Sequence, residues 1–170
     1  MSFWNIFKNE ENNDTFSSQL HKELSEHFPE SNELKLEKIA CFSGLLARVA
    51  LVDLKRTSEE RASIKNAISE LTDYNQEDAE KICQIALEHV KELAGLEDHK
   101  YGQFLSDSCN NDEKMQILTA LFAVAASDGN ADNLESEEIR NITKSLKLEQ
   151  KHFVAARATV AEHLGALKKN

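Results

Sequence analysis

The sequence predicts an all-α fold, a helical bundle, on three observations. Helix breakers are rare: five Gly and one Pro in 170 residues. Apolar residues recur at three- and four-residue spacing along most of the chain, with little of the β-branched alternation that marks strands. The same order of three helical patterns also occurs twice. The length fits one domain, or two small repeats sharing a core, and a hydrophobic content of 41% is enough to fill it.

The elements follow in order. Leu20, Leu24 and Phe28 space as one helical face, and Pro29 stops that helix. Leu36, Ile39, Ala40, Phe42, Leu45, Leu46, Val49 and Ala50 are apolar nearly all round, as befits a central, buried helix. Ile64, Ile68 and Leu71 give the next helix one narrow face. Ile82, Ile85, Ala86, Val90 and Leu93 give another, ending near Gly95. A short helix around Tyr101 to Leu105 links to the second half. There Ile117, Leu118, Leu121, Phe122, Val124 and Ala125 again form an all-round apolar helix. Ile139, Ile142 and Leu146 follow, then Phe153, Ala156, Val160, Leu164 and Leu167.

The recurrence is written in identities. An ungapped slide of 75 residues pairs Leu46 with Leu121, Val49 with Val124, Ala50 with Ala125 and Asp53 with Asp128. It also pairs Glu60 with Glu135, Ile64 with Ile139, Asn66 with Asn141 and Leu71 with Leu146. Eight identities in 26 positions compare with roughly two expected from ordinary composition. After a one-residue deletion, Glu88-His89-Val90 meets Glu162-His163-Leu164. Two copies of so long a period predict a closed pseudo-symmetric pair, each laying its apolar first helix against the other's.

Charge and cysteines narrow the function classes. Thirty acids against twenty bases leave a formal charge of −10, which argues against nucleic-acid binding and simple docking on anionic lipid. Cys41, Cys83 and Cys109 form no CxxC pair, so neither a zinc ribbon nor a disulfide framework is expected. Cys41 and Cys83 read as small buried hydrophobes. No secretory apolar region opens the chain, and the longest apolar run, Ile117 to Ala126, is half a membrane span. A cytoplasmic location is expected. The head, with the only Trp and three Phe among polar residues, lies outside both copies. It reads as a flexible arm whose aromatics dock on the body or do nothing, or as a small anchor for a partner or a membrane interface.

Acids gather at two helix ends. Asp128, Asn130 and Asp132 sit at alternate positions, as in a calcium-binding EF-hand loop. Asn133 then stands where that loop needs Gly, and Ile139, a core residue, stands where it needs Glu, so the EF-hand reading fails. Thr57-Ser58-Glu59-Glu60 has the form of a capping box, and Asp132-Asn133-Leu134-Glu135 is its acidic variant. Asp53 and Asp128 are different. Each ends a strongly apolar helix, where the macrodipole disfavours negative charge by some tenths of a kcal/mol. Lys55 and Arg56 follow the first, whereas no base follows the second before Arg140. A hard divalent cation, calcium or magnesium, is therefore expected at Asp128, Asp132 and Glu135, with Glu138 as a further donor. Asp53 and Glu60 are the secondary site. Oxygen-only donors disfavour zinc and copper.

These residues resemble a known family. Leu121-Phe122-Ala123-Val124-Ala125-Ala126-Ser127-Asp128-Gly129, followed by Glu135 and Ile139, is similar to the tellurite-resistance TerB-like domain. Ala50-Leu51-Val52-Asp53, Glu60 and Ile64 match it more weakly, with Leu54 where the family usually has Gly. The resemblance spans roughly residues 34–167, with repeats at about 34–95 and 108–167, and leaves 1–33 as an arm and short helix. It implies an all-helical pseudo-symmetric pair and a non-enzymatic protein of bacterial stress or metal-resistance systems. The resemblance also implies metal binding through these acids and work near membranes, without spanning them.

Catalysis has little support. The histidines are scattered, and no GxGxxG, P-loop, GxSxG or HExxH occurs. His89 and His163 correspond between the copies, which common ancestry explains. Two readings stand: a cation-binding stress protein built on the Asp128 cluster, and a metal-free helical module that recruits a protein partner.

Overall fold

The computed structural model describes residues 16–55, 57–90, 98–129 and 133–168. Among them every regular element is an α-helix: α1 (Phe16–His27), α2 (Glu33–Leu51), α3 (Ser58–Leu71), α4 (Gln76–His89), α5 (Asp98–Ser108), α6 (Asn111–Ala125), α7 (Asn133–Ser145) and α8 (Gln150–Lys168). Residues 1–15 of the aromatic head and residues 91–97, with Leu93 and Gly95, lie outside the described residues.

Side-chain caps start four of these helices, α2, α3, α4 and α6. Asn32 and Asn75 accept from the backbone N–H groups of Lys35 and Asp78 at 2.8 and 2.9 Å. Asn110 and Glu113 close a reciprocal capping box. At the other end of α1, Phe28 N–H still reaches Leu24 O at 2.9 Å. Pro29 then ends the helix, because a ring at that position blocks the preceding residue from helical geometry.

The two all-round apolar helices form the centre. α2 and α6 pack on each other, α2 also on α3 and α4, and α6 also on α7 and α8. Leu45, Leu46, Val49, Leu118, Leu121 and Val124 are fully buried between them and their neighbours. The halves also cross over, with α3 on α6 and α7 on α2. Phe122 meets Phe153 of α8 edge-on at 5.0 Å between ring centroids, an arrangement aromatic pairs favour. Cys41 and Cys83 are buried as expected. Burial pushes the Cys41 thiol well up and that of Cys83 up to about 11.

The flanking helices treat the two halves differently. α1 lies on α2 and α4, inserting Leu20 and Leu24. α5 lies across α2 and α7, one helix from each half. Gly102 of α5 is a point of close approach, since a Cβ there would fall on the Ser145 side chain of α7. Ile64 and Ile68 face inward as their spacing predicts, but Leu71 does not. It is the last residue of α3 and stands 36% exposed at the rim of two surface clefts. Among the described residues no helix is long and apolar enough to cross a membrane.

Candidate functional site

The turn after α2 is held locally. Val52 and Leu54 continue it with hydrogen bonds to Val49 and Leu51, and Leu54 takes a left-handed φ of 63°. The Asp53 carboxylate accepts from the Lys55 backbone N–H at 2.9 Å, and its other oxygen lies 3.2 Å from the Lys55 ammonium. Both compensations that a helix-terminal acid calls for, a turn N–H and a basic neighbour, are thus present.

The start of α3 is a complete capping box. Thr57 N–H donates to Glu60 Oε2 at 3.0 Å, and Glu60 N–H donates to Thr57 Oγ1 at 3.1 Å. Glu60 is only 3% exposed. Burial pushes its carboxyl above the ordinary glutamate value, the Thr57 hydrogen bonds pull it back, and the charges of Asp128 and Asp53 add to the rise. Glu60 therefore feels the charge of an acid from each helix end.

The turn after α6 is built on other residues. Ser127 and Gly129 hydrogen bond back to Val124 and Ala126, and Gly129 adopts φ 121°, which side-chain-bearing residues rarely reach. Asp128 is exposed and makes no ion pair among the described residues. Glu135, in the first turn of α7, is 3% exposed. Asp132, the expected acidic cap, lies outside the described residues.

One participant is not predicted by local sequence. Arg48, in the last turn of α2, places its Nε 3.5 Å from Glu138 Oε1 of α7, with both side chains largely buried. A base does serve the second acidic cluster, but it comes from the other half of the bundle. An arginine near the end of an otherwise apolar helix was the available signal. Arg140, the nearest base in sequence, instead stacks over Phe153 at 4.4 Å and bonds Gln150 at 2.8 Å. The corresponding histidines also part company. His89 Nε2 meets Glu23 of α1 at 2.6 Å, whereas His163 is exposed on α8.

The described acids approach one another without closing into a cage. Among the described residues, no three His, Cys, Asp or Glu side chains converge as metal ligands would. Asp53 and Glu60 already spend oxygens on Lys55 and Thr57. Asp128 keeps a carboxylate unpaired among the described residues.

An all-α bundle with a central helix pair, each followed by a turn that carries an aspartate and a helix whose first turn carries a glutamate, defines the class. The family model for tellurite resistance protein TerB matches residues 38–158, and the chain belongs to that family. No curated protein and no solved structure matches it.

Proposed function

We propose that the protein is a non-catalytic, cytoplasmic member of the TerB family acting in stress or metal resistance, and that it takes up a hard divalent cation at its acidic helix ends. The observation that carries this reading is the environment of Glu60, a buried carboxyl raised further by Asp53 and Asp128. A cation seated among these acids would relieve their mutual repulsion. Asp128 is the principal ligand, because its carboxylate is not spent on a described neighbour. Glu135 and Asp132 are the further donors, and Asp53 and Glu60 stand behind them. Oxygen donors in small number suit calcium or magnesium at millimolar to high-micromolar affinity.

The test is thermal melting of wild type and Asp128→Asn, in chelator and in millimolar calcium or magnesium. A ligand role predicts ion-dependent stabilisation in the wild type, set by mass action, and its loss in the variant. A wild-type melt that ignores the ion sinks the proposal. Titration calorimetry with calcium, magnesium, zinc and manganese identifies the ion.

A second reading is favoured by the complete Thr57–Glu60 capping box, which gives Glu60 a sufficient role without metal. In that reading the protein is a metal-free helical module that recruits a protein partner. Asp128→Asn would then leave stability equal or slightly higher, with or without ion.

A further inference from the structure

A surface groove of about 340 Å³ opens between the start of α2, the end of α3, the end of α5 and the start of α6. Its floor and walls include Leu34, Ile39, Phe42, Leu71, Leu105 and Ile117. Leu34 and Leu71 are among the large apolar side chains left exposed. An apolar groove flanked by exposed leucines marks a surface that something covers. We propose that its occupant is the chain's own aromatic head, Phe3-Trp4-Asn5-Ile6-Phe7.

Composition, reach and charge support that choice. The head concentrates four large apolar residues within five positions, and aromatic side chains gain most from burial in such a groove. Trp4 and Phe16 are twelve positions apart, and at about 3.3 Å per residue the chain between them spans up to roughly 40 Å. The path needed is shorter. α1 has 12 residues and is therefore about 18 Å long. Phe28, just beyond its end, packs on Tyr74 at 5.0 Å between ring centroids, and Tyr74 lines the groove. The head has only to return along α1. A tether of this kind presents it at an effective concentration on the order of millimolar, so weak contacts fill the groove.

Charge points the same way. Lys35, Lys38, Asp73 and Glu113 line the groove; Lys35 pairs with Asp73 at 2.8 Å, Glu113 is engaged in the Asn110 capping box, and Lys38 makes no ion pair among the described residues. In a chain of net charge −10 it is a selective feature, matched by Glu10, Glu11 and Asp14 just behind the aromatic cluster. Those same acids disfavour an anionic lipid surface as the head's destination.

Trp4 is the only tryptophan, so fluorescence of the intact protein reads the head directly. Wild-type emission should be blue-shifted against the free peptide of residues 1–15, and severalfold better protected from acrylamide. The double variant Leu34→Asp/Leu71→Asp, both at exposed positions, should return both readings to the peptide's level while keeping its helical circular dichroism. Deleting residues 1–13 should raise the maleimide labelling rate of Cys109 severalfold, since Cys109 lines the groove while Cys41 and Cys83 are buried. Peptide-like emission in the wild type overturns the proposal. So does a blue shift that survives the groove variant, which would seat the head elsewhere. Protection that fades on dilution assigns the groove to a second copy's head and overturns the intramolecular form. A double variant that loses its helical signal passes the decision to the Cys109 rate, and an unchanged rate is then a refutation.

Discussion

The turns after α2 and α6 stand 75 residues apart in sequence and solve one problem in two ways. Each must end an apolar helix in an aspartate and reverse into a helix whose first turn buries a glutamate. After α2 the solution is local: Lys55 supplies both the N–H and the ammonium for Asp53. After α6 no such neighbour exists, and the nearby charge of Glu138 is met by Arg48 from the other half. The backbones differ in the same sense. Leu54 is forced left-handed and stands 91% exposed, whereas its counterpart at the same offset is Gly129 at φ 121°. The first turn is self-contained but strained. The second is relaxed in conformation but depends on its partner helix.

The largest expected effect comes from exchanging the backbone solutions. Gly129→Ala should destabilise the protein by about 2 kcal/mol, because φ 121° suits glycine only, and there is no steric conflict to share the cost. Leu54→Gly should act oppositely. Relief of a left-handed leucine, about 1–2 kcal/mol, exceeds the roughly 0.4–1 kcal/mol that glycine costs through the unfolded chain. Urea midpoints measure both, and a destabilising Leu54→Gly would mean that the exposed leucine has packing value.

A smaller effect separates the two charge arrangements. Arg48→Ala should cost about 1 kcal/mol or more, since it removes the guanidinium that faces a largely buried Glu138. Lys55→Ala should cost only a few tenths of a kcal/mol, as its ammonium is mostly exposed. Equal losses in chemical denaturation would erase the distinction between a local and a borrowed counter-charge.

The smallest effect is a pH dependence. Glu60 has a folded-state pKa above its ordinary 4.5, so between those values the folded chain holds more proton than the unfolded one. Its contribution therefore worsens as pH rises through that interval and stays unfavourable above it. Glu60→Gln keeps the capping chemistry, which accepts Glu or Gln, and removes the charge. The variant should match or exceed wild type by some tenths of a kcal/mol at neutral pH, and lose that advantage below 4.5. A variant weaker than wild type at neutral pH, with the gap closing in acid, would show that the carboxylate is favoured in place.

Most of the fold was legible because burial on a helix leaves a periodic trace. Leu46 and Leu121, in helices apolar on all sides, are central as their patterns required. The Thr57–Glu60 box was legible because a cap is made within four residues. Arg48 with Glu138 was not, since the partners stand 90 positions apart and their approach depends on how α2 and α7 cross. Leu54 was obscured by its own identity, because leucine carries no signal for a left-handed φ. The groove also had no sequence signature. Its walls come from four helices, and Leu71 was assigned to the core because periodicity cannot tell a helix's last residue from its middle.

The contact between Gly102 and Ser145 governs how the groove can move. With no side chain at 102, α5 sits at backbone distance from α7, like a tooth in a notch. Sliding along that seam would carry Leu105 or Ser106, one turn away on the same face, toward Ser145, so the seam resists shear more than lifting away. Leu105 and Cys109 at the far end of α5 form one bank of the groove. Its width therefore depends on how α5 is seated against α7. Any event that dislodges α5 opens the groove and uncovers the α2–α7 crossing together, coupling a surface feature to the seam between the two halves.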